Sequence, residues 1–498
     1  MKNKSMKNKK WKIIAAALLL GAGLGVALLL GYRMTAAPTK IGFIQFKDQS
    51  LAAFAEAADG ERFIRIERVP WGKDAGTNLN RYDVLMIQGM GLRLDPEEKQ
   101  LILDAVRRKI PVYVCSPTTR EVELTSVSPE QAEQIREYYR HGGRENNRRL
   151  LHYLRREVDG KRFFTDAAKP VVPSPGECLY HLPDDAVFDT VGKYLDYYRS
   201  GNFYKENAPR VCLYLSGGSP VSSNREHVKD IIRGLEARGF NVFPLSANEK
   251  QNDFIREIRP DLIVAAAGTG RNTEFFREMN VPVFCPVFAY QPYEEWLKDQ
   301  RGAVSGLLAW TIVWPEVDGR IVPYTLAAQF AGKHGYQVFK VLPERLEKWT
   351  HLARKYVNLR RKDNSEKKVV IIYYKGPGEN ALSAEGLEVG ESLFNVLTKM
   401  RDAGYRVEGL PENAGQFLDL VQKFGKVLGP YAKGAIEEFI ENGNPELVTA
   451  EEYDRWARAA IPADLYADMQ KQHGPPPGEY LTTDRGGRSA VCNSAMWR

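Results

Sequence analysis

Apolar residues follow two patterns along this chain, and each predicts a different structure. Residues 13–32 form one uncharged run, "IIAAALLLGAGLGVALLLGY". From Lys40 onwards, short apolar runs alternate with longer polar stretches that carry apolar residues at helical spacing. Such alternation is typical of a parallel β-sheet covered by helices. We therefore expect an α/β fold of several flavodoxin-like or Rossmann-like parallel-sheet units, behind one N-terminal transmembrane helix and followed by a helical C-terminal segment.

The uncharged run predicts a membrane-spanning helix, because about 20 residues at 1.5 Å each cross a hydrocarbon core of roughly 30 Å. A cleaved signal peptide is the alternative, but its apolar region spans only about 7–15 residues. Six lysines precede the run, and only Arg33 and Lys40 closely follow it. Positive charge marks the cytosolic side. We expect residues 1–12 in the cytosol, residues 13–32 as a single-pass anchor in the inner membrane, and the body on the periplasmic side.

The sequence predicts three successive segments in the body of the protein, which begins at residue 38. Residues 38–200 predict an α/β domain whose long helix is broken at "HGG" (141–143). Residues 205–345 predict a second α/β domain, with strands such as "RVCLYLS", "NVFPLS" and "DLIVAAAG". Residues 368–490 predict a third unit that begins with the strands "KVVIIYY" and "YRVEGLP" (368–374 and 405–411) and becomes mainly helical. The charged run 358–368 is typical of a domain boundary.

Composition narrows the classes of function. The 498 residues are 43% hydrophobic, enough for about three domains. The net charge is +7, and the first twelve residues carry six lysines, so the body is nearly neutral and we expect no nucleic-acid partner. No CxxC pair or zinc-type histidine spacing occurs, and buried structural thiols are expected at the cysteines, Cys115, Cys178, Cys212, Cys285 and Cys492.

Four loops that follow predicted strands carry candidate ligand-binding chemistry, because ligands of open α/β sheets bind at the carboxyl ends of strands. "SGGSPVSSN" (216–224) offers amides and hydroxyls to an anionic group, although a flexible loop that ends in a helix cap explains it equally well. "AGTGRNTE" (267–274) contains an arginine that could bind a carboxylate, and an ordinary loop is its alternative. "KGPGENALSAEGLEVG" (375–390) suits a lid or substrate loop.

The fourth stretch, "AWTIVWPEVDGRIVP" (309–323), places two tryptophans before an acidic turn. These tryptophans are explained about equally well in two ways. They form a surface on which a ligand stacks, or they pack in the core beside a Val-Asp-Gly hairpin. The candidate substrate-binding residues of the four loops are Ser216, Gly217, Gly218, Asn224, Gly268, Arg271, Trp310, Lys375 and Asn380.

Six segments resemble, in order, the front part of the CobN/magnesium-chelatase large-subunit family. They are "GLEARGFNVFPL", "IRPDLIVAAAG", "VPVFCPVF", "WPEVDGRIVP", the run from "NSEKKVVIIYY" to "YRVEGLP", and "EYDRWARAAIP" with "HGPPPGEY". The resemblance covers roughly residues 205–490. It implies a protein that holds a tetrapyrrole as substrate while cobalt or magnesium is inserted, with ATP hydrolysed by separate AAA+ subunits. No GxxxxGK[ST] phosphate loop or other recognisable cofactor motif occurs in the chain.

The predicted anchor is similar to that of membrane-bound HmuS-like relatives, which implies removal of iron from haem and haem-uptake proteins as partners. AAA+ subunits in the cytosol could not reach a periplasmic body. Metal transfer requires protonation of pyrrole nitrogens and a ligand for the metal. The groups to test are His227, His334, Glu316 and Glu379, and no metal ligand is established. A membrane-tethered tetrapyrrole-binding module without enzymatic activity is the alternative.

The last residues, "AVCNSAMWR", follow a segment that leads, in the resembling family, into a strand with the core "FGNV". One choice of codons for this tail, translated from its third base, gives RVQFGNVA. We therefore expect that residues 491–498 are out of frame and that the chain is the N-terminal fragment of a longer protein.

Overall fold

The computed structural model describes residues 21, 23, 25–72, 75–118, 123–215, 220, 225–266, 268, 270–373, 383–384, 387–424, 440–441, 446–475, 482–483 and 488–492. The chain forms two compact units, residues 1–357 and 358–498. Half of the predicted anchor, residues 13–20, 22 and 24, lies outside the described residues, and residues 25–35 are helical. Within the described ranges, no helix is long and apolar enough to cross a membrane.

The first lobe of unit one is built on a four-stranded parallel sheet, as the strand pattern predicts. Its strand order is β2-β1-β3-β4. The strands are β1 (Thr39–Ile44), β2 (Ile64–Arg68), β3 (Val84–Gln88) and β4 (Val112–Cys115). The helices that cover them are α1 (Asp48–Ala57), α2 (Pro96–Arg107), α3 (Pro129–His141) and α4 (Gly143–Tyr153), the last continued by a π-helical turn over Leu154–Val158.

Local sequence sets the helix ends of this lobe. Asp95 and Ser128 each accept a hydrogen bond from the backbone three residues on, and Glu98 and Gln131 return the bond, which completes two capping boxes. The predicted break at "HGG" is confirmed, because Gly142 has φ of +52° between α3 and α4. Glycine adopts this left-handed backbone at little cost.

The second lobe of unit one is built on an eight-stranded sheet of order β12-β11-β10-β9-β7-β8-β5-β6. Its centre, from β11 to β8, is parallel, while β12, β5 and β6 pair antiparallel at the two edges. The strands are β5 (Cys178–His181), β6 (Ala186–Phe188), β7 (Arg210–Tyr214), β8 (Asn241–Ser246), β9 (Leu262–Ala265), β10 (Val283–Pro292), β11 (Ile321–Ala331) and β12 (Gln337–Val341).

Helices cover both faces of this sheet and close apolar cores against it. They are α5 (Val191–Ser200), α6 (Glu226–Ala237), α7 (Gln251–Ile258), α8 (Thr273–Met279), α9 (Tyr293–Lys298), α10 (Ser305–Leu308), α11 (Trp314–Val317) and α12 (Pro343–Arg361). A π-helical turn over Ala309–Val313 joins α10 to α11. Four of the five cysteines, Cys115, Cys178, Cys212 and Cys285, are free and buried, as expected for structural thiols.

Unit two contains helices and short antiparallel strand pairs among its described residues. The elements are β13 (Ser383–Ala384), β14 (Leu387–Glu388), α13 (Val389–Asp402), α14 (Ala414–Phe424), β15 (Glu446–Thr449), α15 (Ala450–Ala460), α16 (Ala463–His473) and β16 (Arg488–Cys492). β13 pairs with β14, and β15 pairs with β16.

The two strands predicted at the start of unit two are wrong for the described residues. Residues 367–373 and 405–411 are irregular, and Val370 and Ile372 are 83% and 91% exposed. A strand requires a neighbour that pairs with its backbone N–H and C=O groups. No strand in the described part of this unit pairs with either run. The apolar pattern alone therefore did not decide their structure.

Candidate functional site

The candidate site lies where β9 of the second lobe ends. Gly268 follows β9, and its backbone N–H donates a hydrogen bond to the carbonyl oxygen of Trp310 at 3.1 Å. A Cβ atom at Gly268 would lie 2.9 Å from Cζ of Arg320, and one at Gly270 would lie 2.9 Å from the ring of Trp314. Only glycine lets this loop approach the neighbouring segment so closely. The structure thus brings two of the predicted residues, Gly268 and Trp310, together.

A buried ion pair fastens this loop to the rest of the sheet. The Arg320 guanidinium lies 2.9 Å from the Asp318 carboxylate, and both side chains are almost fully buried. Arg320 also donates to the carbonyl of Ala265 at 3.0 Å, and Asp318 accepts from the backbone N–H of Asn272 at 2.8 Å. The guanidinium lies 5.3 Å from the ring centre of Phe276. Buried charges are tolerated when further hydrogen bonds satisfy them. The ion pair therefore holds the loop after β9 against the turn that precedes β11.

The helical segment before the ion pair exposes an apolar side to solvent. Trp310 and Trp314 are 55% and 45% exposed, and Val313 and Val317 are also exposed. These four residues, here called the tryptophan face, recur at spacings of three and four residues and therefore share one side of the helical segment. Large exposed apolar patches mark binding surfaces.

Of the two interpretations of this stretch, the Val-Asp-Gly hairpin is wrong, since residues 305–317 are helical and β11 begins at Ile321, parallel to β10. The chain turns instead at Gly319, where φ is +79°. The core-packing interpretation of Trp310 is also wrong, because its side chain is exposed. Trp314 is not among the predicted binding residues, although its spacing of four residues from Trp310 indicates that both share one side of a helix.

Two charged candidates accompany the tryptophan face in sequence. Arg271 is exposed in the loop that contains Gly268, and Glu316 is exposed on α11 between Trp314 and Val317. The importance of Asp318 and Arg320 was missed, because a charged pair in "VDGR" has the sequence signature of an ordinary solvated turn. The two segments that Asp318 and Arg320 join thus carry exposed indole rings, a carboxylate and a guanidinium group.

His227 lies inside the core of the second lobe. Its ring centre is 5.1 Å from that of Phe288 and 5.3 Å from that of Phe339, and the side chain is almost fully buried. Burial lowers the pKa of His227 to about 4, since an apolar environment disfavours the charged imidazolium. Among the described residues, none forms a hydrogen bond with its Nδ1 atom. At neutral pH the ring is therefore an uncharged packing group.

His334 lies at a different place, the contact between the two lobes. In the turn between β11 and β12, its Nε2 atom is 3.3 Å from Asp59, and Lys333 lies 2.9 Å from the same carboxylate. The hydrogen bond from Lys333 lowers the pKa of Asp59. Partial desolvation raises the pKa of Glu56 on α1, and the Glu226 carboxylate adds to this effect. Sequence reasoning missed both acids, because only the fold brings them to this contact.

The remaining candidates lie outside the described residues: Ser216, Gly217, Gly218, Asn224, Lys375, Glu379 and Asn380. In the described part of the chain, no group of three or more His, Cys, Asp or Glu side chains is arranged to hold a metal ion.

Comparison with known proteins links this architecture to a family. The model of the CobN/magnesium chelatase family matches residues 136–494. The aerobic cobaltochelatase subunit CobN of Pseudomonas aeruginosa is 25% identical over 346 residues, which are 64% of this chain and 27% of that protein. The chloroplastic magnesium-chelatase subunit ChlH of Oryza sativa is 26% identical over 274 residues, which are 49% of this chain and 19% of that protein.

The fold is shared with a solved structure. The catalytic subunit of cobaltochelatase from Mycobacterium tuberculosis superposes with a TM-score of 0.65 at 21% identity, over 91% of this chain and 37% of that one. The chain thus spans well under half the length of these proteins. The family match covers more than half of the chain, and the chain belongs to the CobN/magnesium chelatase family.

Proposed function

We propose that the chain is the N-terminal, tetrapyrrole-binding part of a metal chelatase large subunit, tethered to the inner membrane by residues 13–32 with its body on the periplasmic side. The observation that carries the proposal is the tryptophan face at the carboxyl end of β9. A ligand that covers this face would bury both indole rings, and its polar edge would meet Arg271.

A tetrapyrrole matches this surface in shape and chemistry. It is a flat aromatic macrocycle with carboxylate side chains at its rim. Stacked aromatic rings stabilise a complex by about 0.5–1.5 kcal/mol per pair beyond the burial of apolar area. Arginine binds carboxylates through two parallel hydrogen bonds. Trp310 and Trp314 would therefore hold the macrocycle, and Arg271 would orient one of its carboxylates.

Metal transfer also requires proton movement at the pyrrole nitrogens. Among the described candidates, Glu316 suits this role best, because it is exposed within the same helical segment as both tryptophans. His227 is less suited, since it is buried and its pKa of about 4 leaves it uncharged near neutral pH. The metal is a substrate here, and the names of the relatives point to cobalt or magnesium. Separate chelatase subunits would be the partners in such an assembly only if they reach the periplasmic side.

Removal of iron from haem is a second candidate, favoured by one feature of the sequence. Six lysines precede the apolar run, which by the positive-inside rule puts the body outside the cytosol. An ATP-driven partner in the cytosol could not reach a body in that position, whereas haem-uptake proteins could. Under this candidate the same tryptophan face would hold haem.

Porphyrin binding by the full-length chain in detergent tests the proposal. Protoporphyrin IX is titrated against the wild type and against the double variant Trp310→Ala/Trp314→Ala, with the affinity read from porphyrin absorbance. We expect the double variant to bind protoporphyrin IX at least tenfold more weakly. It loses two stacked pairs of about 0.5–1.5 kcal/mol each, and about 1.4 kcal/mol corresponds to a factor of ten in the dissociation constant. Trp456→Ala, a similarly exposed tryptophan in unit two, is the matched control and should bind like the wild type. Equal affinity of all three proteins would refute the proposed site.

Metal content separates an enzyme from a binding module. The chain is incubated with haem, or with protoporphyrin IX and Co²⁺ or Mg²⁺, and the metal state is read from the absorbance spectrum. A change of metal state that Glu316→Gln abolishes supports a chelatase. Reversible binding with unchanged metal content supports the non-enzymatic module.

A further inference from the structure

An exposed aromatic pair lies at the amino edge of the first sheet. Phe163 and Phe164 are 60% and 66% exposed. The ring of Phe164 stacks on that of Phe63, with centres 4.7 Å apart, and Phe63 immediately precedes β2. The two exposed phenylalanines, one of which stacks on Phe63, form an apolar patch that water solvates poorly.

A buried arginine ties this pair to the end of helix 25–35. One guanidinium nitrogen of Arg155 donates to the carbonyl oxygens of Ala36 and Phe163, at 3.3 and 2.9 Å. The other donates to the carbonyls of Ala37 and Phe63, at 2.8 and 3.1 Å. Because the Arg155 side chain is fully buried, these bonds are shielded from water. Arg155 therefore connects the end of the helix directly with the aromatic pair.

The connection from the helix to the sheet is short. The backbone N–H groups of Ala36 and Ala37 both donate to the carbonyl of Tyr32 at 2.8 Å, which closes the helix, and β1 begins at Thr39. The helix itself is apolar and exposed on its described part, through Val26, Leu28, Leu29, Leu30 and Met34. A helix that exposes apolar side chains in this way requires an apolar partner or lipid.

Basic side chains flank the aromatic pair in sequence. Arg62 precedes Phe63, Arg162 precedes Phe163, and Arg33 lies near the end of the helix, all three exposed. Phenylalanine side chains next to basic ones are typical of surfaces that lie in the bilayer interface, where the apolar rings are buried at the boundary of headgroups and acyl chains and the cations attract anionic lipids.

We propose that Phe163 and Phe164 insert into the headgroup layer of an anionic lipid bilayer, with Arg62 and Arg162 against the lipid phosphates. The surface continues the apolar helix, and the inference rests on the membrane anchor of the proposed function. The inference also gives the orientation of the first sheet relative to the bilayer, because the starts of β1 and β2 lie at this edge. The amino edge of the first sheet faces the bilayer, and the carboxyl ends of its strands point away from it.

Depth-dependent fluorescence quenching on the full-length chain tests this orientation. The chain, carrying Cys492→Ser, is reconstituted into vesicles of phosphatidylcholine with one fifth phosphatidylglycerol. A bimane label is attached to Phe163→Cys or, as the matched control, to Met90→Cys. Met90 is 69% exposed and follows β3 at the opposite, carboxyl edge of the same sheet. The four described native cysteines are buried and resist labelling.

We expect nitroxide-labelled lipids to quench the label at position 163 at least twofold more strongly than the label at position 90. Equal quenching at both positions, or none at 163, overturns the proposal if the chain stays with the vesicles after an alkaline carbonate wash. Loss of the chain in that wash overturns the anchor itself and this inference with it. The porphyrin titration is done in detergent and is independent of either result.

Discussion

Two helical segments of the second lobe carry apolar residues at the same spacing, yet they place them in opposite surroundings. On α6, the apolar side is fully buried against the sheet, through Val228, Ile231, Ile232 and Leu235. On the segment 305–317, the apolar side is exposed as the tryptophan face. Periodicity thus predicts that a helix forms and which residues share a side. It does not predict whether that side meets the core or a ligand.

The two segments are also held in place by different forces. Burial of apolar area stabilises α6, at about 25 cal/mol for each Å² removed from water. Polar contacts attach the segment 305–317 and the turn after it: the Cys285 thiol donates to the carbonyl oxygen of Thr311 at 3.5 Å, and Asp318 and Arg320 form the buried ion pair. This polar attachment leaves the apolar side of the segment available for binding. The following variants test that contrast, in order of decreasing effect.

Removal of the buried cation should have the largest effect. Arg320→Ala leaves the Asp318 carboxylate buried without its ion-pair partner, and we expect the free energy of unfolding to fall by about 3–5 kcal/mol. Urea unfolding followed by circular dichroism measures it. Arg256→Ala is the control, because its ion pair with Glu278, at 2.8 Å, is exposed and should contribute less than about 1 kcal/mol. Similar small losses in both variants would show that polar attachment does not hold the segment.

The same substitution on each helix compares a buried position of α6 with an exposed position of the segment 305–317. Leu235→Ala creates a cavity in the core, and we expect a loss of about 2–5 kcal/mol in the free energy of unfolding. Leu308→Ala removes the same atoms from an exposed position of α10, so we expect a change within about 0.5 kcal/mol. If Leu308→Ala destabilised the chain as much as Leu235→Ala, the segment 305–317 would be part of the core.

His227 makes the stability of the α6 core depend on pH. The unfolded imidazole has a pKa near 6.5 and the folded one a pKa of about 4. The unfolded chain therefore binds the proton first as pH falls. The contribution of the neutral His227 ring to the free energy of unfolding is fully present above pH 6.5. About 3 kcal/mol of it is lost as the pH falls to about 4.

Urea unfolding at several pH values between 7 and 4 measures this decline. His227→Leu should unfold with a shallower pH dependence over the same interval, since it cannot take up the proton. If the free energy of unfolding depended on pH in this variant as it does in the wild type, His227 would have to be solvated in the folded chain.

The sequence predicted the parallel sheets of unit one well, because strand and helix periods alternate there and caps such as Asp95 and Ser128 mark the helix starts. It failed for residues 367–373, where an apolar run finds no pairing strand among the described residues of its unit. Strand pairing is a non-local property that a local pattern cannot contain.

The candidate site was only partly predictable, for a related reason. Trp310 and Gly268 were identified from their loops, and the structure brings them into contact. His227 was selected for its chemistry, yet its burial among Phe288 and Phe339 follows from the packing of distant segments. Asp318 and Arg320 lie in a stretch that reads as a turn, and only their burial reveals that they support the site.

Hydrogen–deuterium exchange of the full-length chain, with and without protoporphyrin IX, tests the central claim most directly. We expect slower exchange on binding in peptides that cover residues 305–317 and 270–273, while peptides of α6 remain unchanged. Protection confined to other regions, with residues 305–317 unaffected, would contradict the assignment of the tryptophan face as the tetrapyrrole site.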